Sequence, residues 1–456
     1  MIQQEYRSLS TIVIEDTTQP IVRGMIRWSA LKQAERFVLV TVLTLPFWWI
    51  VGIGYLSLGV TLSIIIYEFF WGEGFKLKKP SLLVLSGFTF GLYLIAALSY
   101  YRGGGNPGVI TSLFADWCCT ALIVWYVQSY RIRVRLEVIA WGLSVLVGEM
   151  ILFWLVIQFV LGTPRFDPPR SLIGLLTSKS ERFIPGVGNT NYLMPYLQKD
   201  KSIGGLGRFV FFFPGPEAMS LATAFIALLS LDLKNRAWSI ALCLASVLLM
   251  LLSGTRSTWI MFPMTVGVRY FLIMARLSGV ATMFAVLSLI SFLTLSVPQT
   301  TDLLRNSFSN TTEATSGFRA DSTKVRHKIY ERTIDSIITE PDYLLFGHGV
   351  TGPTVLPGYA PAMIGSHSFL LGSLLYRSGL VGTGVFVTYW LSLISWFYKS
   401  RRSRPSCCIF VFLMFSFTFG TMELELSVVL VTLLCTVLHT SLDQHTELSL
   451  THPVKS

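Results

Sequence analysis

The sequence is poor in charge: 13% of its 456 residues are Asp, Glu, Lys or Arg, against roughly 25% in an ordinary soluble domain. It has no long basic block, so its net charge of +11 speaks for loop topology rather than for nucleic acid. Cysteine is scarce too. Cys118, Cys119, Cys243, Cys407, Cys408 and Cys435 lie in or beside apolar runs, at spacings that fit neither a zinc site nor an extracellular disulfide framework. They read as small apolar packing residues. There is no HExxH, no P-loop and no pair of aspartates two residues apart, so nothing argues for a divalent metal or any other cofactor. No cleavable leader is expected either: residues 1–35 are polar and mildly basic, and the first apolar run starts near Phe37, too deep for a signal peptide.

What is present is apolar. Hydrophobic residues make up 52% of the chain, and mean hydropathy is +0.60. Runs of about 18 or more apolar residues read as membrane helices; a barrel would show short alternating segments of about ten residues. The expected fold class is therefore all-α, a polytopic membrane bundle of about twelve spans. They fall near 37–51, 53–71, 81–101, 109–130, 136–161, 209–231, 237–253, 257–272, 277–297, 368–397, 406–419 and 424–440. This divides the chain into an N-terminal segment (1–36), helices (37–161), an outer loop (162–208), helices (209–297), a large outer loop with short helices (298–367), helices (368–440) and a tail (441–456).

Alternation from a cytoplasmic N-terminus puts Lys76–Lys79, Arg131–Arg135, Lys234–Arg236, Arg269–Arg276 and Lys399–Arg404 on one side. All are basic, while the opposite short turns Gly52–Gly54 and Gly420–Glu423 hold no Lys or Arg. The positive-inside rule then places both termini in the cytoplasm. The two long loops fall outside and are nonetheless basic, which invites an anionic ligand.

The second long loop has its own helix signal. Tyr330, Ile334, Ile337 and Ile338 follow i, i+4, i+7, i+8 and predict one apolar helical face ended by Pro341. Such a helix can lie on the membrane surface or on the span tops. Four features then converge on the outer face. Arg208 stands in GRFVFFFPGPEAM, Arg256 in SGTRSTW, Arg319 and Arg326 lie two helical turns apart, and His367 sits at the mouth of the tenth span. A lone arginine at a span end commonly snorkels, so the functional reading rests on the convergence. Arginine suits a diphosphate because its planar fork donates two parallel hydrogen bonds and keeps its charge. A histidine takes a proton from an attacking hydroxyl, and neighbouring arginines keep it neutral for that task. His348, between two glycines, reads as structural, and Asn189 as turn chemistry. Asp116 and Glu149 fall inside expected spans, where carboxylates are costly and often functional.

At these residues the chain resembles the O-antigen ligase and polymerase superfamily of WaaL- and Wzy-like membrane proteins. SHSFLLGSLLYRSGLVG is similar to the family's His-Asn/Ser motif followed by Gly-x-x-Gly, with one residue more than the usual spacing. RHKIYERTIDSIITEPDYLLFGHG is similar to its R-x-x-x-W … P-L-x-G-x-G approach, with Tyr330 at the Trp position. SGTRSTWIMF resembles its Ser-x-x-Arg segment, and RFVFFFPGPEAM its R-x-x-G-x-F-x-x-P-N-x-x-A segment, with Glu217 in place of Asn. Together these cover about residues 205–400. The resemblance implies a metal-independent glycosyltransferase of the bacterial inner membrane. It would take a glycan from undecaprenyl diphosphate at the periplasmic face. A ligase transfers it to a lipid A–core sugar, a polymerase to the next carrier-linked repeat unit. By position, Arg208 and Arg256 would hold the diphosphate, Arg326 or Arg319 would assist, and His367 would activate the acceptor hydroxyl. The ligase reading is taken first and the polymerase second. A small-anion transporter using Asp116, Glu149 and the basic loops is the alternative of another class.

Overall fold

The computed structural model describes residues 20–22, 24–72, 74–102, 107–162, 166–176, 191–201, 207–274, 288, 320–356, 362–424 and 426–440. These are mostly helical. In chain order the helices that build the body are α1 (Gln33–Leu43), α2 (Leu45–Val51), α3 (Leu56–Phe70), α4 (Leu82–Arg102), α5 (Pro107–Tyr130), α6 (Leu136–Val160), α7 (Pro216–Ser230), α8 (Arg236–Leu252), α9 (Arg256–Met274), α10 (Ala320–Thr339), α11 (Phe369–Lys399), α12 (Cys407–Thr418) and α13 (Leu426–Val437). The strands are β1 (Ile21–Val22), β2 (Met25–Ile26), β3 (Val134–Arg135), β4 (Tyr196–Lys201), β5 (Gly207–Phe209) and β6 (Leu438–His439). They pair only as β1–β2, β3–β6 and β4–β5.

Five helices are long and apolar enough to cross a membrane: α4, α5, α6, α11, and α3 with the turn before it. The pair α1 and α2, bent by 57° at Thr44, raises this to six. Twelve is not reached among the described residues. α7, α8, α12 and α13 are apolar but have 10–17 residues, and 12 residues of helix rise only about 18 Å. The expected span 277–297 lies outside the described residues.

The run expected to begin a span at residue 209 does not. Residues 207–209 are the β5 strand, the apolar stretch after it is turn, and α7 starts only at Pro216. Phe211 has φ 50, which no helix accommodates. Every residue of α7 from Ala218 to Ser230 is buried, as expected of a helix that is hydrophobic all round. α7 is thus the central post of the bundle, and Pro216 and Glu217 are its head. Rings fill the core beside it: Phe386 meets Phe90, Trp390 and Phe419 at 5.3, 5.6 and 5.9 Å between centroids.

Contacts join the basic short loops into one end of the bundle. Arg135 bonds Glu35 at 2.7 Å, and its neighbour strand β6 lies parallel to β3. Arg404 donates to the carbonyls of Cys435, Thr436 and Leu438, capping α13. Asp232 pairs with Arg269 at 3.0 Å and accepts from Ser406 and the Cys407 N–H. The Lys78 N–H reaches Ser129. The heads of α7, α9, α11 and α13 lie at the other end.

At that other end α11 is broken. Gly379 has φ 62 and ψ −170, a conformation only glycine takes comfortably. The break frees backbone groups; the loop after α10 takes four of them, and the Tyr93 hydroxyl of α4 donates to the Ser378 carbonyl at 2.6 Å. His348 and Gly349 donate to the carbonyls of Tyr376 and Arg377, while Leu380 and Val381 donate to those of Leu344 and Leu345. Among its described residues the large loop carries a 20-residue helix, α10, and a short helical turn at Pro341–Tyr343.

Candidate functional site

Helix α10 packs on the bundle through Ile329 (0% exposed) and Thr333 (1%), with Tyr330 half-buried. Ile334 and Ile338 on the face expected from sequence are exposed, at 41% and 70%. The packed face is one step round from the purely apolar one because its contacts are polar. Thr333 Oγ1 accepts from the Gly365 N–H at 2.9 Å and donates to Ile329 O at 2.6 Å. The Tyr330 hydroxyl donates to the carbonyl of His367 at 3.1 Å, and burial pushes its pKa up, which keeps it a donor.

His367 itself has φ 65, uncommon for any residue but glycine. Its loop is held on both sides: by Thr333 and Tyr330 before it, and after it by Phe369 N–H donating to Met422 O at 3.0 Å. Ser368 caps α11, accepting from the Leu371 N–H and donating to Phe419 O. Gly365 has φ +75, and a Cβ there would meet the Tyr376 ring at 2.2 Å. No larger residue fits.

The protonation of His367 follows from its neighbour. A hydroxyl has one proton to give. Ser366 Oγ donates to Met363 O at 2.6 Å and lies 2.7 Å from His367 Nδ1. Where that proton goes to the Met363 carbonyl, Ser366 accepts from Nδ1–H, the tautomer that leaves the Nε2 lone pair open. Burial first, then the positive charge of Arg326, hold the imidazole pKa below its usual value, opposed by Glu217 and Glu423. His367 is a neutral histidine with an open basic nitrogen.

The cations gather beside it. Arg208, on β5, is 7% exposed, and its Nε donates to Ser253 O at 2.6 Å. Arg326, on α10, donates to Thr421 O at 3.2 Å. Between them sits Glu217, its Oε1 3.6 Å from a terminal nitrogen of each guanidinium. Arg256 opens α9 directly after the turn Ser253–Thr255. That turn is tied to the site, since Thr255 Oγ1 donates to Pro216 O at 3.1 Å and Gly254 packs on the Arg208 side chain. Arg208, Arg256, Arg326 and His367 thus share one end of the bundle. Arg319 lies outside the described residues, as does Asn189.

Sequence reasoning missed the acidic half of the site. Glu217 stood out only as a departure from a motif, although an acidic residue in a first helical turn is itself a signal. Glu423 pairs with Arg377 at 3.1 Å. His348 behaves as expected. It is stacked between Tyr343 and Tyr376 at 4.4 and 4.0 Å, and its Nε2 is 3.0 Å from Glu340. That hydrogen bond holds the Glu340 carboxyl below its usual range. Asp116 Oδ1 and Glu149 Oε2 are buried without a hydrogen-bond partner. Asp116 Oδ2 accepts from Ser112 on its own helix. Among the described residues no hydrogen bond or ion pair links either carboxylate to the arginines or His367.

The described residues contain no group of three His, Cys, Asp or Glu side chains able to hold a metal. A comparison with protein-family models finds no match, and neither does a comparison with curated proteins.

Proposed function

We propose that the chain is an integral membrane glycosyltransferase that moves a glycan from a polyprenyl diphosphate, undecaprenyl diphosphate by resemblance, to an acceptor hydroxyl. The observation that carries this reading is the pairing of an open, neutral His367 Nε2 with converging arginines. His367 takes the acceptor's proton. The acceptor oxygen bonds to the anomeric carbon as the bond from that carbon to the diphosphate oxygen breaks, and the diphosphate leaves. Arg208, Arg326 and Arg256 stabilise its charge, and such preorganised electrostatics is the main contribution expected. No metal is needed to neutralise the leaving group.

In this reading the bundle spans the bacterial inner membrane about twelve times, its shorter helices included, with both termini cytoplasmic and the His367 end periplasmic. The gathering of all five basic loops at the opposite end supports that orientation. The acceptor is a lipid A–core sugar in a ligase, or a growing carrier-linked glycan in a polymerase. The alternative of another class remains a small-anion transporter using Asp116, Glu149 and the basic loops.

The test is the glycolipid profile of cells lacking the protein, complemented with wild type, His367→Ala or Arg256→Ala. Polymer stranded on the carrier with bare acceptor marks a ligase; single repeat units in place of chains mark a polymerase. Both variants should behave as the deletion at normal protein level. Wild-type transfer by either one sinks the role given to that residue, and a profile unchanged by deletion sinks the glycosyltransferase reading.

A further inference from the structure

The end of the bundle away from His367 holds a second feature that glycosyl transfer does not use. A cavity of about 820 Å³ opens there, between the turn after α5, the start of α4 and the last turns of α11. α11 connects the two ends: its N-cap, Ser368, follows His367, and its last residue, Lys399, lines this cavity. Twenty-three residues of helix, Arg377–Lys399, put roughly 35 Å between them.

The lining is charged with one sign. Arg131, Arg133, Lys399 and Arg404 contribute, and no Asp or Glu does. Arg404 is fixed: it is 7% exposed, holds the last carbonyls of α13, and stacks on Trp396 at 4.6 Å. It supplies a standing charge held in place by the carbonyls of Cys435, Thr436 and Leu438. Arg131, Arg133 and Lys399 are different. They are exposed, and among the described residues no carboxylate pairs with any of them. Arg131 takes a left-handed φ of 53 at the end of α5, the turn that brings both arginines to the rim. Two cations of the basic end have carboxylate partners, Arg135 with Glu35 and Arg269 with Asp232; Arg131, Arg133 and Lys399 have none among the described residues, and they meet around one cavity.

The other wall is apolar and leads outward. Leu82 and Leu391 line it and are 63% and 61% exposed, so the cavity continues into an outward-facing apolar strip between α4 and α11. Serines at one-turn spacing, Ser392 and Ser395, add donors between the two zones. A soluble phosphate would leave this strip unused, and an apolar chain alone would leave the cations unused.

We infer that this cavity binds an anionic phospholipid, its phosphate among Arg131, Arg133 and Lys399 and its acyl chains along Leu82 and Leu391. The inference rests on the chain lying in a membrane and not on the reaction at the other end. Clustered cations at a cytoplasmic membrane surface attract anionic lipid, and a formed cavity turns that attraction into a site.

The experiment uses the purified full-length chain in a neutral detergent, titrated with phosphatidylglycerol, phosphatidylcholine or inorganic phosphate. Binding is followed by native mass spectrometry and thermal unfolding. Phosphatidylglycerol should bind saturably and raise the unfolding temperature, and phosphatidylcholine should bind at least tenfold more weakly. Replacing Arg131, Arg133 and Lys399 together by Gln should cost at least tenfold in phosphatidylglycerol affinity. Ser392→Phe, which fills the cavity and leaves every charge in place, should do the same and guards against misfolding of the charge variant. Equal binding of the two lipids, or of wild type and both variants, would overturn the proposal and leave the cations a role in orientation only. Displacement of phosphatidylglycerol by inorganic phosphate at equal concentration would also overturn it, by making the ligand a soluble phosphate. None of these readouts involves glycan transfer.

Discussion

Thr333→Val removes one oxygen from the interior of the protein and changes the shape of the side chain little. That oxygen, on a residue 1% exposed, is the acceptor for the Gly365 N–H at 2.9 Å. Valine offers no acceptor, and the buried N–H is left unsatisfied. Such a loss costs about 1–3 kcal/mol, which is roughly 5- to 150-fold in an equilibrium. The cost falls on the segment that begins with Gly365 at φ +75 and contains His367 at φ 65. Both residues hold conformations the chain would leave if released. The expected result is therefore a lower unfolding temperature together with a fall in glycan transfer of about 10- to 100-fold, since small misplacement of a catalytic group is expensive. The control is Thr333→Ser, which keeps the acceptor and the donor to Ile329 O and should retain most activity. Transfer is measured on purified protein with carrier-linked glycan and acceptor, and stability by thermal unfolding in detergent. If the valine variant unfolds and transfers like wild type, the His367 loop is not held by this bond and the preorganisation argument fails.

Three further outcomes are expected. Because burial and Arg326 hold the His367 pKa below its usual value, the basic form persists as pH falls, and the acid limb of the rate profile should lie below about 6.5; Arg326→Gln, which removes one lowering cause, should move that limb upward, and an unmoved limb would refute the coupling. The same shift makes the unfolded chain bind the proton first, so this residue's contribution to stability declines as pH drops below about 6.5 and levels off once the folded imidazole is also protonated. Gly379→Ala should cost at least about 2 kcal/mol, from backbone strain of about 1–3 kcal/mol and a Cβ 2.4–2.5 Å from Gly347 N and Leu345 O. Gly384→Ala, with nothing within 4 Å, should be neutral or slightly stabilising, and equal unfolding temperatures for the two variants would contradict the described break.

Hydropathy read the long helices well, because a run such as 136–161 has no competing structure; the observed helix is Leu136–Val160. It failed at residues 209–215. VFFFP is as apolar as a span, yet it is buried turn beneath β5, and periodicity cannot separate the two in so short a run. The apolar face assigned to α10 also moved, since its packing is decided by Thr333 and Tyr330, whose hydroxyls bind backbone that no pattern in the sequence locates. The cations and His367 were legible because charge is rare in this chain. Their partner Glu217 was not: a carboxylate earns its meaning there from two arginines that are 9 residues before it and 109 after it in the sequence.

Glu217 changes what it means for this site to bind an anion. With its carboxylate between Arg208 and Arg326, the site already carries a tethered counterion. An arriving anion therefore trades places with it rather than filling a void, and only the difference between the two interactions appears as affinity. A ligand held by difference is easily let go, because the carboxylate is always at hand to reclaim the arginines. Under the proposed reaction the product is a multiply charged diphosphate, and the main hazard is a site that grips what it has just made. The glutamate at the head of the central helix would then act as a competitor built into the chain, limiting how tightly the spent carrier is kept.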